Sequence, residues 1–188
     1  RGDSGSGKST LLSLIKGIRS SGEVTINGRK TSYRSLSDHI IYIKEELFQY
    51  IETDLVEFIT DGEICDWDWL NQLLQICDLE ERLSNVEKVV STQLSHGEKA
   101  RLILVKTLYQ LKSRFRIALL DEMDNGIQID LFLRILDFIR TSPVLQNKTI
   151  IAISHQPSVH EYEHLSRLWT IKQGNLFSVM NTKSRNSG

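Results

Sequence analysis

Gly2-Asp3-Ser4-Gly5-Ser6-Gly7-Lys8-Ser9-Thr10 stands at the start of the chain and decides its fold. The stretch matches the phosphate-binding pattern G-x-x-x-x-G-K-[ST], in which glycines let backbone N–H groups curl around phosphate oxygens. The lysine and the following hydroxyl of that pattern meet phosphate and a magnesium ion. The sequence therefore predicts a nucleoside triphosphate site with these ligands: Ser4, Gly5, Ser6, Gly7, Lys8, Ser9 and Thr10.

A loop of this kind connects a buried strand to a helix. Apolar residues at helical spacing over residues 9–18 predict that helix, and Gly17 lies near its end. Because only Arg1 precedes the loop, we expect the lead-in strand to lie outside this chain.

The composition is that of a globular protein. Its 188 residues, 40% hydrophobic and 25% charged, suffice for one core with a small second lobe. The 23 basic residues balance 24 acidic ones without a basic run, which disfavours a nucleic-acid partner. No apolar stretch approaches the roughly 20 residues that span a bilayer. Cys65 and Cys77 are expected to be reduced core residues.

The order of elements predicts an α/β fold. Three apolar runs predict buried parallel strands: residues 39–43, 117–120 and 149–153. Helices are expected over residues 95–111 and 129–140, a short strand and tight turn over 23–28, and a hairpin over 168–179.

Helical spacing and an aromatic cluster mark residues 46–92 as an inserted helical subdomain. The expected division is a nucleotide-binding core of residues 1–45 and 93–180, this subdomain, and a loose tail at 181–188. The aromatic side chains fit either the core of the subdomain or a docking site.

Two carboxylates, Asp121 and Glu122, end the strand predicted at 117–120. The carboxyl end of a buried parallel strand is where ligands of open α/β sheets bind. Asp121 can hold Mg²⁺ there through water, and Glu122 can polarise an attacking water. The pair therefore predicts hydrolysis of a phosphoanhydride.

The stretch Leu94-Ser95-His96-Gly97-Glu98-Lys99-Ala100-Arg101 lies between these two landmarks. By itself it predicts a helix N-terminus, because Ser95 and Glu98 fit a capping box. It also resembles the L-S-G-G-Q signature of ATP-binding cassette (ABC) ATPases. Together with the phosphate loop, the Asp-Glu strand end and His155, this resemblance covers essentially the whole chain.

The resemblance implies a P-loop NTPase fold of the ABC type, with a mostly parallel sheet flanked by helices, and it implies ATP and Mg²⁺ as cofactors. Two copies would pair head to tail. In that pair the signature completes the γ-phosphate cage of ATP bound to the opposite subunit, through these residues: Ser95, His96, Gly97 and Glu98. His155 would be the switch histidine that contacts the γ-phosphate and helps to position Glu122.

The family also places a glutamine, a ligand of Mg²⁺ and of the attacking water, at the end of the strand before the helical subdomain. Glu45 holds that position here, so a carboxylate replaces the amide and adds like charge beside Asp121 and Glu122. Glu45 is therefore expected as a catalytic and metal-binding residue, with Ser9 and Asp121. Gln49 is the alternative, four residues on.

Other departures from the family pattern concern coupling between sites. His96 replaces the first glycine of the signature. Gln128 replaces the aspartate that links the two sites of the dimer, unless Asp130 serves after a shift in register. We therefore expect ATP binding, and we expect these departures to bear on the rate of hydrolysis and on the coupling between sites.

One further motif competes with this interpretation. His160-Glu161-Tyr162-Glu163-His164 fits H-E-x-x-H, which on a helix places two imidazoles one turn apart for zinc. No third ligand is evident, so we interpret the segment as a solvated face.

The leading hypothesis is an Mg²⁺-dependent ATPase domain of an exporter-like ABC transporter. It would work with a second nucleotide-binding domain and a transmembrane domain, at the cytoplasmic face of a membrane. One alternative is a soluble ABC ATPase of the translation-factor type. Another is a degenerate regulatory cassette that binds ATP with little turnover.

Overall fold

The structure is a computed structural model. It describes residues 3, 5–18, 24–26, 28–32, 36–44, 52–83, 88–90, 93–124, 126–162, 164–165, 167–172 and 175–179. In chain order the elements are α1 (Lys8–Lys16), β1 (Val24–Ile26), β2 (Arg29–Thr31), β3 (Ile40–Lys44), β4 (Glu52–Asp54), α2 (Leu55–Thr60), α3 (Trp67–Ile76), α4 (Glu80–Leu83), β5 (Lys88–Val90), α5 (His96–Ser113), β6 (Ile117–Asp121), α6 (Ile129–Thr141), β7 (Thr149–Ile153), α7 (Pro157–His160), β8 (Leu168–Lys172) and β9 (Asn175–Val179).

A parallel sheet of β3, β6 and β7 organises the fold, with β6 in the middle. Ala118, Leu119 and Leu120 of β6 are at most 2% exposed, as expected for a strand that is covered on both faces. The three apolar runs of the sequence are thus confirmed as parallel strands. Helices flank this sheet, so the predicted α/β class is also confirmed.

Local signals set the helix ends. Helix α1 stops at Lys16 because Gly17 takes a left-handed conformation (φ 81°), and its N–H donates to Leu14 O. Helix α5 begins after Ser95 and runs to Ser113, two residues beyond the predicted end. Helix α6 matches its predicted range to within one residue.

Three antiparallel pairs complete the described strands. β8 pairs with β9, which confirms the predicted hairpin. β1 confirms the short strand predicted within residues 23–28, and its pairing with β2 was not predicted. The third pair, β4 with β5, lies at both ends of the helical stretch α2 to α4 and was not predicted. Strands of three residues are too short to show an alternating pattern. The subdomain boundaries at 46 and 92 and the tail at 181–188 lie outside the described residues.

Two apolar clusters form the core. The larger surrounds α5, whose Leu102, Leu104 and Leu108 are at most 1% exposed, and it includes side chains of α2, α3 and α6. The smaller joins α1 to the sheet through Leu12, Ile40, Leu119 and Ile153. Burying each such side chain contributes about 1.5–3 kcal/mol, so α5 is the main support of the helical half.

The aromatic residues that were predicted to cluster differ in their exposure. Trp69 is 4% exposed and stacks on Phe138 with ring centroids 5.8 Å apart, while Phe58 packs against the same core. Trp67 is 58% exposed. Phe48 and Tyr50 lie outside the described residues.

Both cysteines are free, as predicted. Cys77 is fully buried, and this desolvation raises the pKa of its thiol to about 12. In the described part of the chain, no helix combines the length and apolar character needed to cross a membrane.

Because Leu104 and Leu176 differ in burial, their replacement should change the free energy of unfolding by very different amounts. Leu104→Ala, in a site 1% exposed, should lower the free energy of unfolding by about 2–5 kcal/mol. Leu176→Ala is the matched control, since Leu176 is 50% exposed and should cost about 0.5 kcal/mol or less. Urea denaturation followed by circular dichroism measures both; equal costs would contradict this account of the core.

Candidate nucleotide site

The phosphate loop turns directly into helix α1. Gly7 has φ 98° and ψ 14°, a left-handed conformation that glycine adopts without strain. Its carbonyl accepts a hydrogen bond from Leu11 N at 2.9 Å. No side chain caps this helix start, so the positive end of the helix dipole faces the loop, where an anion is favoured.

Lys8 lies inside this loop, only 8% exposed. Its Nζ donates to the carbonyl of Asp3 at 3.0 Å, which folds the side chain back over the loop. A buried ammonium needs such acceptors, and phosphate oxygens are stronger ones. The geometry therefore suits Lys8 to a bound phosphate.

Asp121 connects the loop to the sheet. Strand register places Lys44, Asp121 and Ile153 side by side at the carboxyl edge. Asp121 Oδ1 accepts from Ser9 Oγ at 3.0 Å, and Oδ2 accepts from Tyr42 Oη at 3.1 Å. The structure thus brings Ser9 and Asp121, two residues that were each expected at the metal, into direct contact. The sequence analysis missed Tyr42, although it is the one hydroxyl in the apolar run 39–43.

The Ser9 and Asp121 side chains fit a magnesium ion. Mg²⁺ prefers hard oxygen ligands, keeps several waters, and takes few protein ligands beside substrate phosphates. A hydroxyl and a carboxylate 3.0 Å apart supply such a donor set. In the described residues no group of three or more His, Cys, Asp or Glu is arranged for a metal.

Glu122 and His155 meet at the same edge. Glu122 N donates to Ile153 O at 3.1 Å, which extends the β6–β7 pairing by one residue. His155 Nε2 lies 2.8 Å from Glu122 Oε1, and the two side chains are 49% and 40% exposed. Glu122 also has φ 59°, a conformation that costs a non-glycine residue about 1–2 kcal/mol. The structure thus brings together two residues 33 positions apart that the sequence placed in one site.

The start of α5 carries the predicted capping box. Ser95 Oγ accepts from Glu98 N at 3.2 Å, and Glu98 Oε2 accepts from Ser95 N at 2.7 Å. The cap fixes the direction of the helix start. Ser95 and His96 are exposed there, so the surface is accessible to a second molecule.

An unpredicted contact joins α5 to the loop that follows Glu122. A Cβ added to Gly126 would lie 2.3 Å from His96 Cδ2, and one added to Gly97 would lie 2.5 Å from Gly126 O. Gly126 also has φ 78°. The imidazole that replaces the first signature glycine is therefore accommodated because residue 126 has no side chain.

The remaining predicted residues divide into two groups. Ser4, Glu45 and Gln49 lie outside the described residues, so their assignments stay predictions. Gln128 precedes α6 without forming a side-chain cap, and Asp130 lies exposed in the first turn.

The described residues of the H-E-x-x-H segment, 160–162 and 164, do not form the helix that a zinc site requires. Helix α7 ends at His160, whose Nε2 donates to Ser154 O at 2.8 Å. The ring of His164 instead contacts Tyr162 edge-on at 5.4 Å. The two imidazoles therefore belong to different local structures.

The fold and the site define a P-loop α/β nucleotide-binding domain. A sequence profile described as "ABC transporter" matches residues 1–125. The chain belongs to the ABC transporter family, and it is an ATP-binding domain of that family.

Proteins of similar sequence carry names from the same family. An uncharacterised ABC transporter ATP-binding protein of Mycobacterium tuberculosis is 27% identical over 196 residues, covering 98% of this chain and 77% of the relative. An energy-coupling factor transporter ATP-binding protein of Staphylococcus epidermidis is 25% identical, covering 82% and 58%. ABC transporter G family member 1 of Petunia hybrida is 27% identical, covering 92% and 29%.

A solved structure shares the fold. A bacterial Atm1-family ABC exporter with ATP bound superposes with a TM-score of 0.77 at 20% identity. The match covers all of this chain and 34% of the exporter, so the chain spans about one third of that protein.

The contact between His96 and Gly126 predicts energetic coupling. Gly126→Ala should destabilise the protein by about 2–5 kcal/mol, from left-handed strain and from displacement of the imidazole. In a His96→Gly background only the strain should remain, about 1–2 kcal/mol.

Gly28→Ala is the matched control, because Gly28 has φ 76° and nothing within 4 Å of an added Cβ. Its cost should be the same in both backgrounds. Denaturation of all single and double variants gives the coupling energy, and a value below about 0.5 kcal/mol at Gly126 would contradict the contact.

Proposed function

We propose that the chain binds MgATP and hydrolyses it to power an ABC transporter. The observation that carries this proposal is the meeting of two pairs at one sheet edge: Ser9 with Asp121 at 3.0 Å and Glu122 with His155 at 2.8 Å. The first pair suits metal and phosphate binding, and the second suits activation of water.

Binding begins at the phosphate loop. Backbone N–H groups at the start of α1 and the Lys8 ammonium receive the phosphates, with Lys8 exchanging the Asp3 carbonyl for a phosphate oxygen. We assign the binding of the nucleotide to residues Ser4 to Thr10. Magnesium, when bound, neutralises charge on the phosphate oxygens. Ser9 and Asp121 hold it, with Glu45 as a further ligand.

Hydrolysis then depends on Glu122. Its carboxylate accepts a hydrogen bond from the attacking water and orients that water toward the terminal phosphorus. His155 holds the Glu122 carboxylate and donates to the γ-phosphate when ATP is present. The bond between the terminal phosphorus and its bridging oxygen breaks, releasing ADP and phosphate.

A second subunit completes the site in this proposal. The capped start of α5, with its exposed Ser95 and His96, presents a helix N-terminus to ATP held by a partner domain. Gly97 and Glu98 belong to the same surface. The pair of domains would join with two nucleotides between them, with Gln128 or Asp130 at the junction.

The transporter would supply a transmembrane domain, so that this domain works peripherally at the cytoplasmic face of a membrane. Support comes from membership of the family and from the fold shared with the Atm1-family exporter. We further propose a core of residues 1–45 and 93–180 with residues 46–92 as the helical subdomain. The unpredicted β4–β5 pair lies where that subdomain begins and ends.

The decisive variant is Glu122→Gln, tested on the full chain. It should lower ATP turnover by about 10²–10⁴-fold, since an amide cannot accept a proton from water. Glu161→Gln, an exposed site with the same change in charge, is the matched control and should retain wild-type turnover. Phosphate release measures all three proteins.

Light scattering at saturating ATP adds a test of the shared site, because Glu122→Gln should accumulate an ATP-bound dimer. A strictly monomeric variant would contradict the proposed dimer.

Equal and negligible turnover of wild type and Glu122→Gln would favour a regulatory cassette, which the Gln128 departure suggests. Equal and substantial turnover would remove Glu122 from the mechanism.

A further inference from the structure

A buried carboxylate lies beside the proposed catalytic pair. Asp124 is 2% exposed, and its Oδ2 accepts a hydrogen bond from Ser154 Oγ at 2.5 Å. Ser154 is itself 7% exposed. Its Oγ accepts from Gln156 N at 3.0 Å, and its carbonyl accepts from His160 Nε2 at 2.8 Å. The hydrogen bonds from Gln156 and His160 therefore hold Ser154 in place, and Ser154 in turn holds the Asp124 carboxylate.

A buried aspartate is energetically unfavourable if its only role is packing. Removing a carboxylate from water carries a large desolvation penalty, and a hydrogen bond from a hydroxyl offsets only part of that penalty. An apolar or hydroxyl side chain of similar size would fill the space without this penalty. The carboxylate therefore contributes something other than packing.

The place of the Asp124–Ser154 hydrogen bond in the fold indicates what the buried carboxylate contributes. Asp124 follows Glu122 by two residues, and Ser154 directly precedes His155. The same two loops are joined by the backbone bond from Glu122 N to Ile153 O at 3.1 Å. The contact between His155 and Glu122 at 2.8 Å forms the outermost of three links.

The backbone at Glu122 also requires support. Its φ of 59° is a conformation that persists in a non-glycine residue only where surrounding contacts enforce it. The bond between Asp124 and Ser154 is the buried contact that anchors the next turn of this loop. The turn itself closes through Ile127 N donating to Asp124 O at 3.3 Å.

We propose that Asp124 and Ser154 are positioning residues that hold Glu122 and His155 at their working distance. This inference rests on the proposed function, because the pair being positioned is the one assigned to water activation. Asp124 and Ser154 are both buried, so in this proposal they act through the catalytic pair and not on the reacting atoms. They set the rate of hydrolysis through the geometry of the catalytic pair.

Kinetics of the full chain test the proposal. Asp124→Ala and Ser154→Ala should each lower kcat for ATP by about tenfold or more, with KM for ATP changed by about twofold or less. The double variant should be no slower than the slower single variant, because both remove one interaction. Ser154→Thr, which keeps the hydroxyl, should restore kcat to within about threefold of wild type.

Ser142→Ala is the matched control for loss of a buried serine hydroxyl. Ser142 is also 7% exposed but lies at the end of α6, so its removal should leave kcat unchanged. Wild-type kcat in Asp124→Ala or Ser154→Ala would overturn the proposal, while loss of activity in Glu122→Gln would still support the proposed function. Additive losses in the double variant would also overturn it.

A structural measurement tests the geometry without turnover. Crystal structures of wild type and Ser154→Ala should show the separation of His155 Nε2 from Glu122 Oε1 increase from 2.8 Å to beyond hydrogen-bond distance in the variant. An unchanged separation would overturn the proposal even if the chain hydrolysed no ATP.

Discussion

The register of three parallel strands is the constraint on which the rest of the structure depends. Because β6 lies between β3 and β7 with its last residue beside Lys44 and Ile153, the residues after each strand meet at one edge. Asp121 can then receive Ser9 from α1, while Glu122 faces His155 across the gap to the next loop. A shift of one residue in β6 would turn Asp121 to the other face of the sheet and break both pairs.

Electrostatics explain why such an edge suits a magnesium nucleotide. Asp121, Glu122 and Asp124 fall within four residues, and the contacts described above satisfy them with hydroxyls and one imidazole. Like charges at short range repel, so a divalent cation at Asp121 would relieve repulsion while it neutralises phosphate. In the proposed mechanism the three carboxylates have different tasks: Asp121 binds the metal, Glu122 orients the water, and buried Asp124 holds the shape of the loop.

Sequence reasoning identified the parts of the site that local patterns encode. Lys8 and Ser9 follow from the loop motif, Asp121 follows from its place at the carboxyl end of a buried parallel strand, and the meeting of Glu122 with His155 was expected only from the resemblance to ABC ATPases. Tyr42, the bond between Asp124 and Ser154, and the fit of His96 over Gly126 depend on distances between remote segments, which no local pattern records. The strands β4 and β5 were missed because three residues cannot display a period. Ser4 and Glu45 remain predictions because the structure does not describe them.

In the proposed function, this edge and the phosphate loop form one MgATP site. Isothermal titration of the full chain with MgATP, for wild type, Lys8→Met and Lys112→Met, tests it most directly. Lys112 forms an exposed ion pair with Asp66 at the far end of α5. Lys112→Met therefore removes the same positive charge as Lys8→Met, at a place remote from the phosphate loop. We predict wild-type affinity for Lys112→Met and at least about tenfold weaker binding for Lys8→Met. Equal affinities for all three proteins, or no binding by wild type, would contradict the claim.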